Sequence, residues 1–196
     1  MDIDFNNLHL TEPTLKYVDS FRMAISEYSA SSVEDFGYPK MRTRREVNKY
    51  LKITQNLRRG IGVPEGHVPS SAFWLTDGIH YLGEGHIRHI LTDKLKRFGG
   101  NIGYSIRPCA WGRGLGTIQL SLLLAEAKKL HILKPIITCY DANEPSARII
   151  EKNGGILLKK IDNKINGKQR LTRIYQIDLT MPPEYVKLFN RSAIVG

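Results

Sequence analysis

Two short stretches concentrate residues that can do chemistry. The first is Trp111-Gly112-Arg113-Gly114-Leu115-Gly116, where three glycines alternate between a strand-like run and an apolar helical run. Glycine lets a backbone approach an anion with no Cβ in the way. The helix that follows offers unpaired N–H groups and the positive end of its dipole. Together these can seat a pyrophosphate. The same glycines can also serve only a tight strand-to-helix connection. The Walker loop needs Gly-Lys-Ser/Thr, and none follows here. The dinucleotide fingerprint needs a glycine where Thr117 stands, and it belongs after the first strand of its unit, whereas this turn lies deep in the chain.

The second stretch is "GEGHIRHI", residues 83–90. On a strand, Glu84, His86 and Arg88 share one face while Ile87 and His89 share the other. Histidine titrates near neutral pH, and a desolvated carboxylate gains proton affinity. His89 and Glu84 are therefore the candidate proton acceptors, with Arg88 as a substrate or structural contact. The competing reading is an exposed polar face on an edge strand. His67, His80 and His131 read as loop or surface residues. Cys109 and Cys139 make no disulfide framework, and nothing beside them has metal-ligand spacing, so no metal is expected.

The elements around these stretches follow from periodicity. A short strand is expected over 7–11, then an amphipathic helix over roughly 14–30 with Leu15, Val18, Phe21, Ile25 and Tyr28 at helical spacing. Thr43 with Glu46 three residues on is a capping-box pattern opening a second helix that carries Val47, Tyr50, Leu51, Thr54 and Leu57. Residues 60–71 are punctuated by Gly and Pro and read as loop. Residues 71–91 read as a hairpin turning at Asp77-Gly78. Residues 92–100 read as a link to a strand over 101–108, ended by Pro108. A helix over 115–130, a buried strand over 134–141, a short helix over 143–153 closed by Gly154-Gly155 and a second hairpin turning at Asn166-Gly167 complete the chain. The order β-α-α-β-β-β-α-β-α-β-β is a mixed α/β (α+β) domain with helices packed on one sheet.

The 196 residues, 41% of them hydrophobic, fit one domain spanning 1–196 with a sizeable core. No run reaches the ~18 apolar residues of a membrane span. The Met1-Asp2-Ile3-Asp4 start lacks an apolar signal core, so a cytoplasmic location is expected and no membrane partner. The net charge of +10 favours polyanions. Its basic residues are scattered, though: Arg42, Arg44 and Arg45, then Arg58 and Arg59, then Lys159 and Lys160. A nucleic-acid surface would interleave them with aromatics on one face. Nucleic acid is not the expected partner, and a phosphorylated cofactor uses positive potential equally well.

With the Walker and dinucleotide templates set aside, a turn holding the pyrophosphate of coenzyme A remains. Residues 101–158 resemble the GCN5-related N-acetyltransferase (GNAT) family, whose motif after a strand is Arg/Gln-x-x-Gly-x-Gly/Ala. Here Gly114 and Gly116 match the two glycines, and Trp111 departs at the first position. Downstream the family pattern of Asn, a small residue three on, and a helix ending in Gly matches Asn143, Ser146 and "RIIEKNGG". Loop segments "GHIRH" and "GGNIGYSIRP" resemble a branch of predicted acetyltransferases.

The resemblance implies a mostly antiparallel sheet of about seven strands, flanked by about four helices and splayed between strands 4 and 5. Acetyl-CoA would lie in that cleft as acetyl-donating cosubstrate. Backbone of Tyr104, Ser105 and Ile106 would pair with the pantetheine arm and acetyl carbonyl. Trp111, Gly112, Arg113, Gly114, Leu115, Gly116 and Thr117 would form the pyrophosphate turn, and Asn143 would hydrogen-bond the pantetheine. A primary amine then attacks the thioester directly, aided by a base (His89 or Glu84) and an acid for the leaving thiolate. Many members carry that acid as a tyrosine where Ile150 stands. Ser146, Tyr140 or Cys139 can substitute, or water can protonate the thiolate. The acceptor side is expected around "SSVEDFGYPKMRTRRE", with Glu34 and Asp35 attracting a cationic amine between Phe36 and Tyr38. The reading is an N-acetyltransferase for a small-molecule amine, with homodimers frequent in the fold. The alternatives are a protein or peptide N-acetyltransferase and a non-catalytic acyl-CoA-binding domain.

Overall fold

The computed structural model describes residues 1–31, 41, 43–165 and 167–180, and the side chain of residue 165 is not among them. The proposed acceptor residues Glu34, Asp35, Phe36 and Tyr38, and the turn residue Asn166, lie outside that set. The described residues contain seven strands and five α-helices. Strands β1 (His9–Thr11), β2 (Ser70–Thr76), β3 (Tyr81–Arg88) and β4 (Ile102–Ile106) form one sheet in the order β1-β2-β3-β4. Strands β5 (Ile136–Tyr140), β6 (Ile156–Ile165) and β7 (Lys168–Gln176) form a second, ordered β5-β7-β6 and antiparallel throughout. The single sheet expected is thus divided into two, with β4 at an edge of the first and β5 at an edge of the second.

The chain divides into two compact units, Met1–His86 with Tyr104–Leu115, and Ile87–Gly103 with Gly116 onward. In the first, α1 (Val18–Ala30) buries Val18, Phe21, Ala24, Ile25 and Tyr28, the predicted 3.6-residue stripe. It starts four residues later than the periodicity suggests, because Thr14 caps a 3-10 turn, Leu15–Tyr17, that precedes it. α2 (Arg44–Arg58) opens on the predicted capping box between Thr43 and Glu46 and buries Val47, Leu51 and Thr54. Both helices pack on an aromatic cluster in which Phe21 stands 4.5 Å from Trp74 and 5.0 Å from Tyr81, ring centroid to centroid. Fully buried aromatics of this size dominate the energetics of a small core.

The β2–β3 connection is longer than the two-residue turn expected. It runs over four residues, 77–80, because Asp77 Oδ1 accepts the N–H groups of both Ile79 and His80 and folds the backbone under itself. The first strand is likewise shorter, since Asp4 caps a 3-10 turn over Phe5–Asn7.

In the second unit, residues 92–100 are more than a link. Thr92 caps the short helix α3 (Asp93–Arg97), and Gly99 and Gly100 turn the chain into β4 with φ of +106° and +61°. A Cβ on Gly100 would collide with the Ile136 carbonyl, so glycine is required where this turn passes β5. α4 (Leu115–Lys129) buries Leu120, Leu123 and Ala127, and α5 (Glu144–Lys152) buries Ala147 and Ile150. Ile137, Ile174, Tyr175 and Ile177 are buried on the sheet side.

Candidate active site

β3 is an inner strand, between β2 and β4. The reading of "GEGHIRHI" as an exposed edge therefore fails, and the polar groups on β3 need another reason to be there. Glu84 is 1% exposed. Its Oε1 accepts the Tyr50 hydroxyl from α2 and lies 2.8 Å from His86 Nε2, two residues along the same strand face. Tyr28 from α1 donates to Ser105 Oγ on β4 at 3.4 Å. Burial first, and then the Glu84 charge, push the Tyr50 phenol well above its ordinary range. Burial likewise raises the Tyr28 phenol, with Glu84 among the charges adding to the effect. Both tyrosines are thus neutral hydrogen-bond donors around a buried carboxyl group.

His89 does not share a face with Ile87. β3 ends at Arg88, and His89 is half-buried in the bend beyond it. The strand stops there because the Arg88 guanidinium donates to the Gly99 and Gly100 carbonyls, 3.0 Å each, which ties this end to the turn before β4. Arg88 is a structural contact, the second of the two roles expected for it.

The glycine turn is braced from α1. Arg107, 3% exposed, donates through Nε and an η nitrogen to Glu27 Oε1 at 2.9 and 2.6 Å, while Glu27 Oε2 accepts the Cys109 N–H at 3.2 Å. Burial alone would raise the Glu27 carboxyl, but these partners hold it below its ordinary range. The Trp111 indole N–H donates to the Ile106 carbonyl at 2.6 Å, and Arg113 donates to the Met1 carbonyl at 3.1 Å. Gly112 and Gly114 take φ of +75° and +79°, and nothing lies within 4 Å of where a Cβ would stand on either. The turn is thus open on the side a substituent would fill, and it leads directly into the first N–H groups of α4. Left-handed glycines before a helix N-terminus form an anion-binding nest. The arrangement fits a pyrophosphate.

A family model described as an acetyltransferase (GNAT) domain matches residues 7–156, across the glycine turn, β3 and α5. The chain belongs to the GNAT acetyltransferase family. GNAT enzymes use acetyl-CoA as cosubstrate. Among solved structures, the chain is similar to RimL, a ribosomal L7/L12 alpha-N-protein acetyltransferase in complex with coenzyme A, at 16% identity and TM-score 0.66 over 91% of this chain and 98% of that one. It is similar at 16% identity and TM-score 0.66 to the microcin C7 self-immunity acetyltransferase MccE in complex with acetyl-CoA and AMP, over 88% and 93%. A GNAT-family acetyltransferase from Bacillus anthracis aligns at 18% identity and TM-score 0.61 over 92% and 100%. No curated protein sequence matches the chain.

The remaining residues of the GNAT pattern lie in the second unit. Asn143 caps α5, its Oδ1 accepting the Ser146 N–H at 3.1 Å. Ser146 is half-buried and its side chain bonds with Cys139, whose thiol burial pushes up to about 11. Ile150, where the family tyrosine is expected, is fully buried. Tyr140 is half-buried, with its ring stacked at 6.1 Å from Phe98 and the Arg170 guanidinium over it at 5.2 Å. Among the described residues no cluster of three metal-ligating side chains occurs, and no helix is long and apolar enough to cross a membrane.

Glu27, Arg107, Tyr28 and Tyr50 were missed as contributors to the site. A signal was available for the tyrosines. Both fall on the apolar stripes of their helices, where a phenol hydroxyl needs a buried partner. Nothing local marks the pairing of Glu27 with Arg107, which are 80 residues apart.

Proposed function

We propose that this GNAT protein transfers the acetyl group of acetyl-CoA to a primary amine by direct attack, with Glu84 taking the amine proton. The observation that carries this reading is the Glu84 carboxyl group. It is almost wholly buried, on an inner strand, and hydrogen-bonded by a neutral tyrosine. Burial disfavours the charged form of a carboxylate and so raises its affinity for a proton. His89, in the bend beyond the end of β3, is the second candidate base.

The cosubstrate supplies an activated thioester. Amides from Gly112 to Thr117 would hold its pyrophosphate, with Trp111 and Arg113 flanking the turn. Backbone of Tyr104, Ser105 and Ile106 and the side chain of Asn143 would bind its pantetheine arm. Ser146 would donate a proton to the departing thiolate. The family match runs through both compact units, which supports reading 1–196 as one acetyltransferase domain.

The acceptor we favour is a small-molecule amine in the cytoplasm. A protein N-terminus is the second reading, favoured by the likeness to RimL, described as acting on ribosomal L7/L12. Calorimetry with acetyl-CoA, followed by thiol release with spermidine, an amino sugar and a serine-initiated peptide, separates the two. The expected result is micromolar acetyl-CoA binding and turnover with spermidine or the amino sugar. Turnover with the peptide alone would replace the favoured acceptor. Glu84→Gln is expected to keep acetyl-CoA affinity while kcat falls about 100-fold or more, and an unchanged kcat would remove Glu84 as the base.

A further inference from the structure

Glu84 is nearly sealed from solvent. A carboxyl group that accepts a proton each turnover must also release it. Among the described residues, the groups facing Glu84 include Tyr50 from α2, Tyr28 from α1 and His86 from its own strand. Neither phenol can carry a proton onward at neutral pH, since both are held in the protonated form. His86 differs from them. Its Nε2 is 2.8 Å from Glu84 Oε1, and 40% of its side chain is exposed to solvent. One end of the imidazole ring touches the buried carboxyl group, and the ring itself reaches water.

We propose that His86 is the exit for the proton collected by Glu84, with Tyr50 fixing the carboxylate that hands it over. This rests on the reading of Glu84 as base. As the amine N–H bond breaks, an O–H bond forms on Glu84. That O–H bond breaks as Nε2 of a neutral, Nδ1-protonated His86 takes the proton, giving imidazolium. The Nδ1–H bond then breaks toward water, leaving the ring protonated on Nε2. Exchange with solvent restores the starting tautomer. No electrons are transferred and no further reactant is consumed. Tyr50 is a positioning residue, because it donates to Glu84 and keeps its own proton.

Turnover by the full chain tests this, with whichever of spermidine, the amino sugar and the serine-initiated peptide is acetylated. His86→Ala is expected to lower kcat about 10- to 100-fold with KM for acetyl-CoA unchanged, and imidazole added to the buffer is expected to restore much of the rate.

His86→Gln keeps a hydrogen-bonding side chain beside Glu84 but cannot carry a proton, so it is expected to show the same loss. An unchanged kcat in both His86 variants, or a loss that imidazole does not relieve, would overturn the exit role. A preserved kcat in Glu84→Gln would instead remove the base reading on which the exit depends.

Discussion

Arg107 and Glu27 form a nearly buried ion pair, with guanidinium nitrogens 2.9 and 2.6 Å from one carboxylate oxygen while the other oxygen holds the Cys109 N–H. Pair and backbone bond together fix the short 3-10 turn, Pro108–Ala110, that leads into the glycine turn. Electrostatics inside the first unit therefore determine where the glycine turn begins.

Glu27→Gln leaves the Arg107 charge poorly compensated with only 4% of its side chain in water. Breaking a fully buried pair costs ~3–5 kcal/mol, and the partial exposure of Glu27 brings the expected loss to about 2–3 kcal/mol in denaturant unfolding. The pH dependence has a definite sign. Glu27 titrates below its ordinary value in the folded chain, so its contribution is full above the unfolded carboxyl pKa of about 4.3. That contribution is lost as pH falls through the lower folded value. The parent is expected to lose its advantage over Glu27→Gln on acidification from about pH 5 downward, and an advantage constant to pH 3 would contradict the assignment.

Two glycines with positive φ separate a structural demand from a binding one. Gly100→Ala brings both a left-handed alanine and a collision with the Ile136 carbonyl, neither of which a flexible side chain can relieve. Gly112→Ala meets nothing within 4 Å. The first is expected to lower Tm by more than ~10 °C and the second by only a few degrees, in thermal unfolding without cosubstrate.

Gly114→Glu carries the argument to the ligand. The added Cβ meets nothing within 4 Å, so the main cost to stability is the ~1–2 kcal/mol of the left-handed backbone. A carboxylate in the turn would repel a pyrophosphate. Acetyl-CoA affinity is expected to fall at least ~10-fold in calorimetry, with Gly114→Ala weakened less. Unchanged affinity would mean the turn only redirects the chain.

These contrasts also mark what the sequence could convey. Local chemistry was legible: the Thr43–Glu46 capping box, the Asn143 cap, the glycine turn and the apolar stripes of α1 and α2 all form as their spacing requires. The site depends on pairings that local spacing cannot encode. Tyr50 meets Glu84 across 34 residues, and Arg107 meets Glu27 across 80. The misplacement of His89 has the same origin. Alternation predicts a face only while the strand lasts, and β3 is ended at Arg88 by carbonyls 11 and 12 residues away. α3 was hidden because five residues are too few to show a helical period.

Tyr50→Phe tests the core beneath the site. It keeps the ring, which stacks 5.8 Å from Phe21, and removes only the donor to Glu84. The expected cost is about 1–3 kcal/mol, that of a buried carboxyl group losing one partner. Tyr28→Phe, whose hydroxyl meets the neutral Ser105 at 3.4 Å, is expected to cost less than 1 kcal/mol. The ranking, read from urea midpoints, would reverse if Ser105 rather than Glu84 were the more demanding partner.

Ser146→Ala decides how the thiolate acquires its proton. The α5 cap is made by the Ser146 backbone N–H on Asn143 Oδ1, so alanine preserves it and the helix stays in place. Only the hydroxyl is lost, and with it the bond to Cys139. If the hydroxyl protonates the leaving group, kcat falls about 10-fold or more while acetyl-CoA affinity holds, the split expected of a group that acts only as charge develops. The Cys139 thiol is buried on β5, where packing withholds it from a departing group. The expected result is therefore a loss that Cys139→Ala alone does not reproduce. A kcat unchanged in Ser146→Ala would assign the protonation to water, and the buried Ile150 would then mark a thiolate that departs without a protein acid.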